Sequence, residues 1–202
     1  MAAAALGRLM ADFTDVPAPE LALLVDEAPL CWIVPHADPC AAMLMPVIAK
    51  TGDGGAISSL LGHFPKRAPV VEVLRQHPRA TFLFLGPNGY ISPSMVGRDD
   101  WAPTWNFAAL AIDGDVVMDD ALSRDAVAAL VRHMEGEAGW SLERLGPRAE
   151  ELLSRIVGYR VTPTSLRPRF KLGQDESAAD YASIRAHLGD GALFTLSDRL
   201  RR

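Results

Sequence analysis

Short blocks of apolar residues, separated by clusters of Gly, Pro, Asp and Asn, dominate the pattern of this chain, and helical spacing is confined to a few stretches. The blocks Leu30–Val34 and Ala41–Lys50 predict two buried strands, the second built around Met43, Leu44, Met45, Val47 and Ile48, and Ile57–Leu61 predicts a third after the TGDGG hairpin signal at 51–55. Ala80–Leu85 is the most apolar block. The GPNG run at 86–89 reads as a turn returning the chain into Tyr90 and Ile91. Asn106–Ile112 and Asp115–Met118 read as two strands joined by a hairpin at Asp113-Gly114, and Val157–Thr162 is strand-like again.

Helical spacing appears at Ala18–Ala28, where Leu21, Leu24 and Val25 share a face, and at Pro69–His77, ended by Pro78. It returns from Ser123, read as a cap, to about Glu135, with Val127, Leu130, Val131 and Met134 on one face. Ser141–Ile156 and Ala178–Leu188 complete the helices, and a polar end follows at Arg201 and Arg202. A meander of short strands without regular strand–helix alternation predicts a mainly β member of the α+β class, a barrel with flanking helices.

A chain of 202 residues with 49% hydrophobic and 22% charged positions suits one globular domain, 1–202, with its core between about 13 and 188. The net charge of −5 lacks the clustered basic face that polyanion binding needs, and no helix-turn-helix pattern is evident, so direct DNA binding is not expected. Cys31 and Cys40 form no CxxC pair and read as buried or half-buried thiols of a reducing compartment. Met1–Met10 lacks the pattern of a signal peptide, and no apolar run is long enough to span a bilayer, which makes the cytoplasm the expected location.

No nucleophile elbow, HExxH, P-loop or dinucleotide fingerprint occurs, and the five histidines lack metal-ligand spacing, so no metal site is expected. Three segments carry chemistry instead. Gly62-His63-Phe64-Pro65-Lys66-Arg67 leaves a strand for a helix, and such a corner offers backbone N–H groups and two cations to a phosphate, or is simply a solvated basic turn. Tyr90-Ile91-Ser92-Pro93-Ser94 offers two hydroxyls to a phosphate or ribityl chain, or a serine-stabilised turn. Trp101-Ala102-Pro103-Thr104-Trp105-Asn106 sets aromatic faces beside a hydroxyl and an amide, as a flat heterocycle requires, or contributes core tryptophans.

Taken in order, GHFPKRAP (62–69), GPNGYISPS (86–94), APTWNF (102–107), IVGYRVTPTSL (156–166) and FKLGQDE (170–176) resemble successive motifs of the PaiB-like family of FMN-binding negative transcriptional regulators, over about Phe13 to Leu188. The resemblance implies an FMN-binding split β-barrel with flanking helices, a homodimer, and FMN in the cleft between subunits. It places Lys66 and Arg67 at the FMN phosphate, His63 at the corner, and Ser92 and Ser94 near the ligand. Thr104, Trp105 and Asn106 would line the cleft, with Lys171 and Gln174 approaching it late in the chain.

This chain departs from the motifs at several places. Met43-Leu44 precede Met45-Pro46 where Asn-His is usual, Lys66-Arg67-Ala68 replaces ArgAlaAsn, Met95 replaces Trp, and Gly173-Gln174-Asp175 replaces Ser-Gln-Asn. The expected function is an FMN-binding protein, either a flavin-dependent oxidoreductase with a small-molecule electron donor or acceptor or a flavin-linked regulator; catalytic residues are not assigned. The alternatives are a non-enzymatic transcriptional regulator acting without tight flavin, and a haem-binding barrel using His63 or His187.

Overall fold

The structure is a computed structural model that describes residues 13–201; Met1–Met10 and Arg202, discussed above, lie outside the described residues. The elements run α1 (Ala18–Glu27), β1 (Leu30–Pro35), β2 (Met43–Thr51), β3 (Ile57–Pro65), α2 (Pro69–Gln76), β4 (Arg79–Ile91), α3 (Pro93–Val96), β5 (Thr104–Asp119), α4 (Ser123–Glu135), α5 (Arg148–Leu153), β6 (Ile156–Lys171), α6 (Ala178–Leu188) and α7 (Ala192–Leu200). Short 3-10 turns at Pro39–Ala41, Asp53–Gly55, Asp120–Leu122 and Leu142–Leu145 link some of them.

The chain divides into two compact units. A barrel unit comprises Ala18–Phe84 and Leu110–Arg167, and a helical unit comprises Leu85–Ala109 and the chain from Pro168 onward, with the described residues before Ala18.

The strands close in the order β1-β2-β3-β6-β5-β4, with β1 and β4 completing the circle. Strict alternation builds the interior: β1 turns Cys31 and Ile33 inward, β4 turns Ala80, Phe82 and Phe84, and β5 turns Leu110, Ile112, Gly114 and Val116. Phe64 stacks on Tyr159 at 4.4 Å between centroids, and both are fully buried. Helix α1 buries Leu21, Leu24 and Val25, the stripe its spacing predicts, and packs on β2. On the outer face of the pleat, Trp32 pairs with Leu44 on one side and Leu83 on the other, and these three side chains stay 51%, 42% and 43% exposed.

In the helical unit a separate core joins Ile91, Ile184 and Phe194, with Met95, Val96, Trp101 and Tyr181 packed against it. Helix α7, absent from the sequence-based expectation of a polar end, supplies Leu193, Phe194 and Leu196 as buried residues.

Several local expectations are overturned. GPNG at 86–89 is not a turn: β4 runs straight through it, and neither Gly86 nor Gly89 takes the positive φ that a tight hairpin demands. Asp113-Gly114 likewise lies inside one continuous β5. Gly114 is needed there for close approach, since a Cβ would sit 2.4 Å from Val161 Cγ1 and 2.8 Å from the Thr162 carbonyl oxygen on β6. Ser123 does not cap α4; its hydroxyl accepts from Gly158 N at 3.0 Å and donates to the Ile156 carbonyl at 3.4 Å. Met134 is exposed, whereas Val127, Leu130 and Val131 of the expected face are half-buried, beside the buried Ser123 and Ala126 of α4. The helix expected over Ser141–Ile156 is broken at Gly146 and Pro147 into a 3-10 turn and α5. Cys31 is buried as expected, whereas Cys40 is exposed.

Candidate functional site

The ten residues singled out from the sequence fall into two groups, one in each unit. In the barrel unit, β3 extends to Pro65, so His63 sits on a strand and the corner proper is Lys66-Arg67-Ala68. Burial pushes the His63 imidazole below its ordinary pKa, which favours the neutral ring, and its Nδ1 is buried without a hydrogen-bond partner. The Lys66 backbone N–H donates to the Arg155 carbonyl at 2.9 Å, and its ammonium pairs with Asp120 at 3.0 Å. Arg67 is exposed and carries no ion pair among the described residues.

In the helical unit, β5 opens with Thr104, Trp105 and Asn106. Asn106 occupies an inward register otherwise filled by Ala108, is only 2% exposed, and has no partner for its Oδ1. A polar amide on a core-facing row is costly unless something pairs with it. The Lys171 ammonium donates to the Thr104 hydroxyl at 2.6 Å. Trp105 stays 51% exposed, with its indole N–H on Asn88 Oδ1 at 3.3 Å and its ring 5.6 Å from that of Tyr90. Two solvent-facing aromatic rings, one of them pinned by an amide, form a ready surface for a planar heterocycle.

Local clamps occupy other members of this group. Gln174 accepts from Leu172 N and donates to the Phe170 carbonyl, both at 2.6 Å, which folds the segment after β6 around Gly173, itself at φ +80°. Ser92 accepts from Ser94 N at 3.3 Å as the cap of α3, and the two hydroxyls lie 2.9 Å apart.

One residue outside the sequence-based set joins the helical-unit group. Glu176 lies beside Trp101 and Lys171. Burial raises its pKa most, Asp175 and Asp180 raise it further, and Lys171 and Trp101 pull it down. Nothing in the sequence beyond the FKLGQDE motif pointed to Glu176. Hollows of about 420 Å³ beside α1 and about 250 Å³ beside α7 are lined by other residues, among them Asp26 and Ala49 in the first and Asn88 and Phe194 in the second. Among the described residues there is no cluster of His, Cys, Asp and Glu that could hold a metal, and no helix is long and apolar enough to cross a membrane.

The fold matches that of the flavocytochrome Anf3 from Azotobacter vinelandii, with a TM-score of 0.57 and 14% identity over 81% of this chain and 72% of the other. It equally matches the FAD and heme binding protein from Mycobacterium smegmatis, with a TM-score of 0.56 and 16% identity over 84% and 77%. The closed six-stranded barrel with flanking helices is therefore a split β-barrel, the fold it shares with these two structures. Residues 9–165 match the family described as "Putative FMN-binding domain", and the chain belongs to that family, as the PaiB-like motifs lead one to expect. It is also 28% identical over 131 residues to the protease synthase and sporulation protein PAI 2 of Bacillus subtilis; that match spans 62% of each chain. The family match takes in His63 to Asn106 and ends before Lys171 and Gln174.

Proposed function

We propose that this protein binds FMN and acts as a flavin-dependent oxidoreductase on a small-molecule electron donor or acceptor. The observation that carries the reading is the orphaned Asn106 Oδ1, held in a core-facing row of β5 next to the half-exposed Trp105, in a chain of the FMN-binding family. The residues present suit the group. Lys66 and Arg67 would meet the phosphate, and His63, whose buried Nδ1 has no partner, precedes them on β3. Thr104, whose hydroxyl accepts from Lys171, keeps its own proton to donate, while Trp105 offers an aromatic face and Asn106 an acceptor. Ser92 and Ser94 would contribute through their paired hydroxyls, and Gln174 by holding the Lys171 segment in shape.

Bound FMN would supply the electron chemistry; the chain's own part is to bind, orient and shelter it. The apolar row of Trp32, Leu44 and Leu83 supports the homodimer reading, because adjacent strands presenting exposed apolar side chains favour burial against a second copy. Both cysteines are free, which suits a reducing compartment such as the cytoplasm.

The test is titration of the purified apo-protein with FMN, followed by flavin fluorescence, with riboflavin and haemin in parallel. Saturable FMN binding stronger than that of riboflavin supports the reading. Absence of FMN binding overturns it, and a Soret band with haemin alone would favour the haem reading.

A further inference from the structure

We propose that Asp120 is a resident competitor for the Lys66 ammonium and thereby sets how tightly this chain takes the phosphate of its flavin. The inference rests on the reading of Lys66 as a phosphate ligand, and concerns the regulation of that same site. Lys66 is already committed within the chain: its Nζ lies 3.0 Å from Asp120 Oδ1.

Both partners are set by the backbone. Lys66 follows directly on β3 with its N–H fixed to Arg155. Asp120 opens the 3-10 turn after β5, where the Asp119 carboxylate accepts from Ala121 N at 2.8 Å and the Ser123 N–H closes on the Asp120 carbonyl. The Asp120 side chain takes no part in those capping bonds, so its position against Lys66 is not needed to form the turn.

Arg67, the adjacent cation, has no such counter-ion among the described residues. The corner therefore holds one open cation and one engaged cation. An arriving phosphate meets Arg67 freely and must exchange with a carboxylate at Lys66, against the like charge of Asp120 itself. The pair is partly exposed, 35% at Lys66 and 72% at Asp120, so this exchange modulates affinity and does not block binding. A phosphate dianion offers more charge and more acceptor oxygens than one carboxylate, which lets it win the exchange.

The test compares wild type, Asp120→Asn, Lys66→Met and the double variant, each titrated with FMN and with riboflavin, which lacks the phosphate. Asp120→Asn is expected to tighten FMN by about twofold to fivefold, the range of an exposed ion pair, and to leave riboflavin unchanged. In the Lys66→Met background the same change is expected to tighten FMN by less than it does in wild type, because only the like charge of Asp120 is then removed. If Lys66→Met weakens FMN but Asp120→Asn does not tighten it, the competition is refuted while the phosphate role of Lys66 stands. Equal tightening of FMN and riboflavin refutes it as well. If Lys66→Met leaves FMN binding unaltered, the phosphate reading of the corner fails, and the competition with it.

Discussion

Gly62 on β3 and Tyr159 on β6 face each other in register, and a Cβ on Gly62 would lie 2.4 Å from the Tyr159 hydroxyl oxygen and 2.5 Å from its Cζ. The phenol lies across the glycine, is fully buried, stacks on Phe64, and leaves its hydroxyl without a partner. Burial pushes its pKa well above the ordinary value. The ring cannot swing away, so Gly62→Ala is expected to destabilise the barrel by about 3 kcal/mol or more. Tyr159→Phe removes a buried hydroxyl that bonds to nothing and is expected to stabilise by roughly 1 kcal/mol. Urea denaturation midpoints of the two variants check both signs.

Asp113 gives the barrel an acid-sensitive tie. Its carboxylate accepts from Arg167 and from the Thr81 hydroxyl at 2.6 Å, and Thr81 in turn bonds His36 at 2.8 Å, so residues of β4, β5 and β6 meet there with the residue that follows β1. The Arg167 bond above all, with help from Thr81 and against the cost of burial, holds the Asp113 pKa below its ordinary value. A depressed carboxylate pKa contributes stability above the unfolded value, about 4, and that contribution is lost as pH falls through the folded value. Asp113→Asn is therefore expected to lower the melting temperature at neutral pH and to flatten its decline below about pH 4. Parallel acid limbs for variant and wild type would refute the assignment.

The two thiols differ in accessibility. Burial raises the Cys31 pKa to about 12, whereas Cys40 is exposed. A disulfide reagent at neutral pH is expected to modify one thiol per native chain and two after denaturation. Rapid modification of both in the native protein would contradict the buried position of Cys31.

Trp105 separates binding from folding. Because its ring is half exposed, Trp105→Ala is expected to change unfolding free energy by no more than about 1 kcal/mol. Loss of a stacking face is worth about 1–3 kcal/mol in comparable aromatic contacts with bases, so FMN affinity is expected to fall roughly tenfold. Flavin titration beside thermal unfolding distinguishes the two effects, and unaltered affinity would remove Trp105 from the site.

The barrel strands were legible because their side chains alternate. The period in Asn106, Ala108, Leu110 and Ile112 even exposes Asn106 as a polar residue on an inward row. Turn signals misled where pairing overrides local preference: Gly86, Gly89 and Gly114 serve extended backbone, and for Gly114 the reason is the neighbouring β6, which a local reading does not see. Helix α7 carried its own signal in Leu193, Phe194, Leu196 and Leu200, a helical stripe obscured by the glycines at 189 and 191 and the terminal arginines. Of the candidate site, residue types were readable but their engagements were not. That Gln174 and Ser92 bond their own backbone neighbourhood depends on torsions, and that Lys66 meets Asp120 depends on how two distant connections fold.

The pairing of β1 with β4 has a consequence for how copies of this chain can meet. Where Trp32–Pro35 of β1 pair with Ala80–Leu83 of β4 the backbone ribbon is already bonded, so a second molecule cannot add a strand at that seam. Association through that seam must then be written in side chains alone. A single charged residue in place of Trp32, at the centre of its row, could switch such an association off without disturbing one rung of the ladder beneath it.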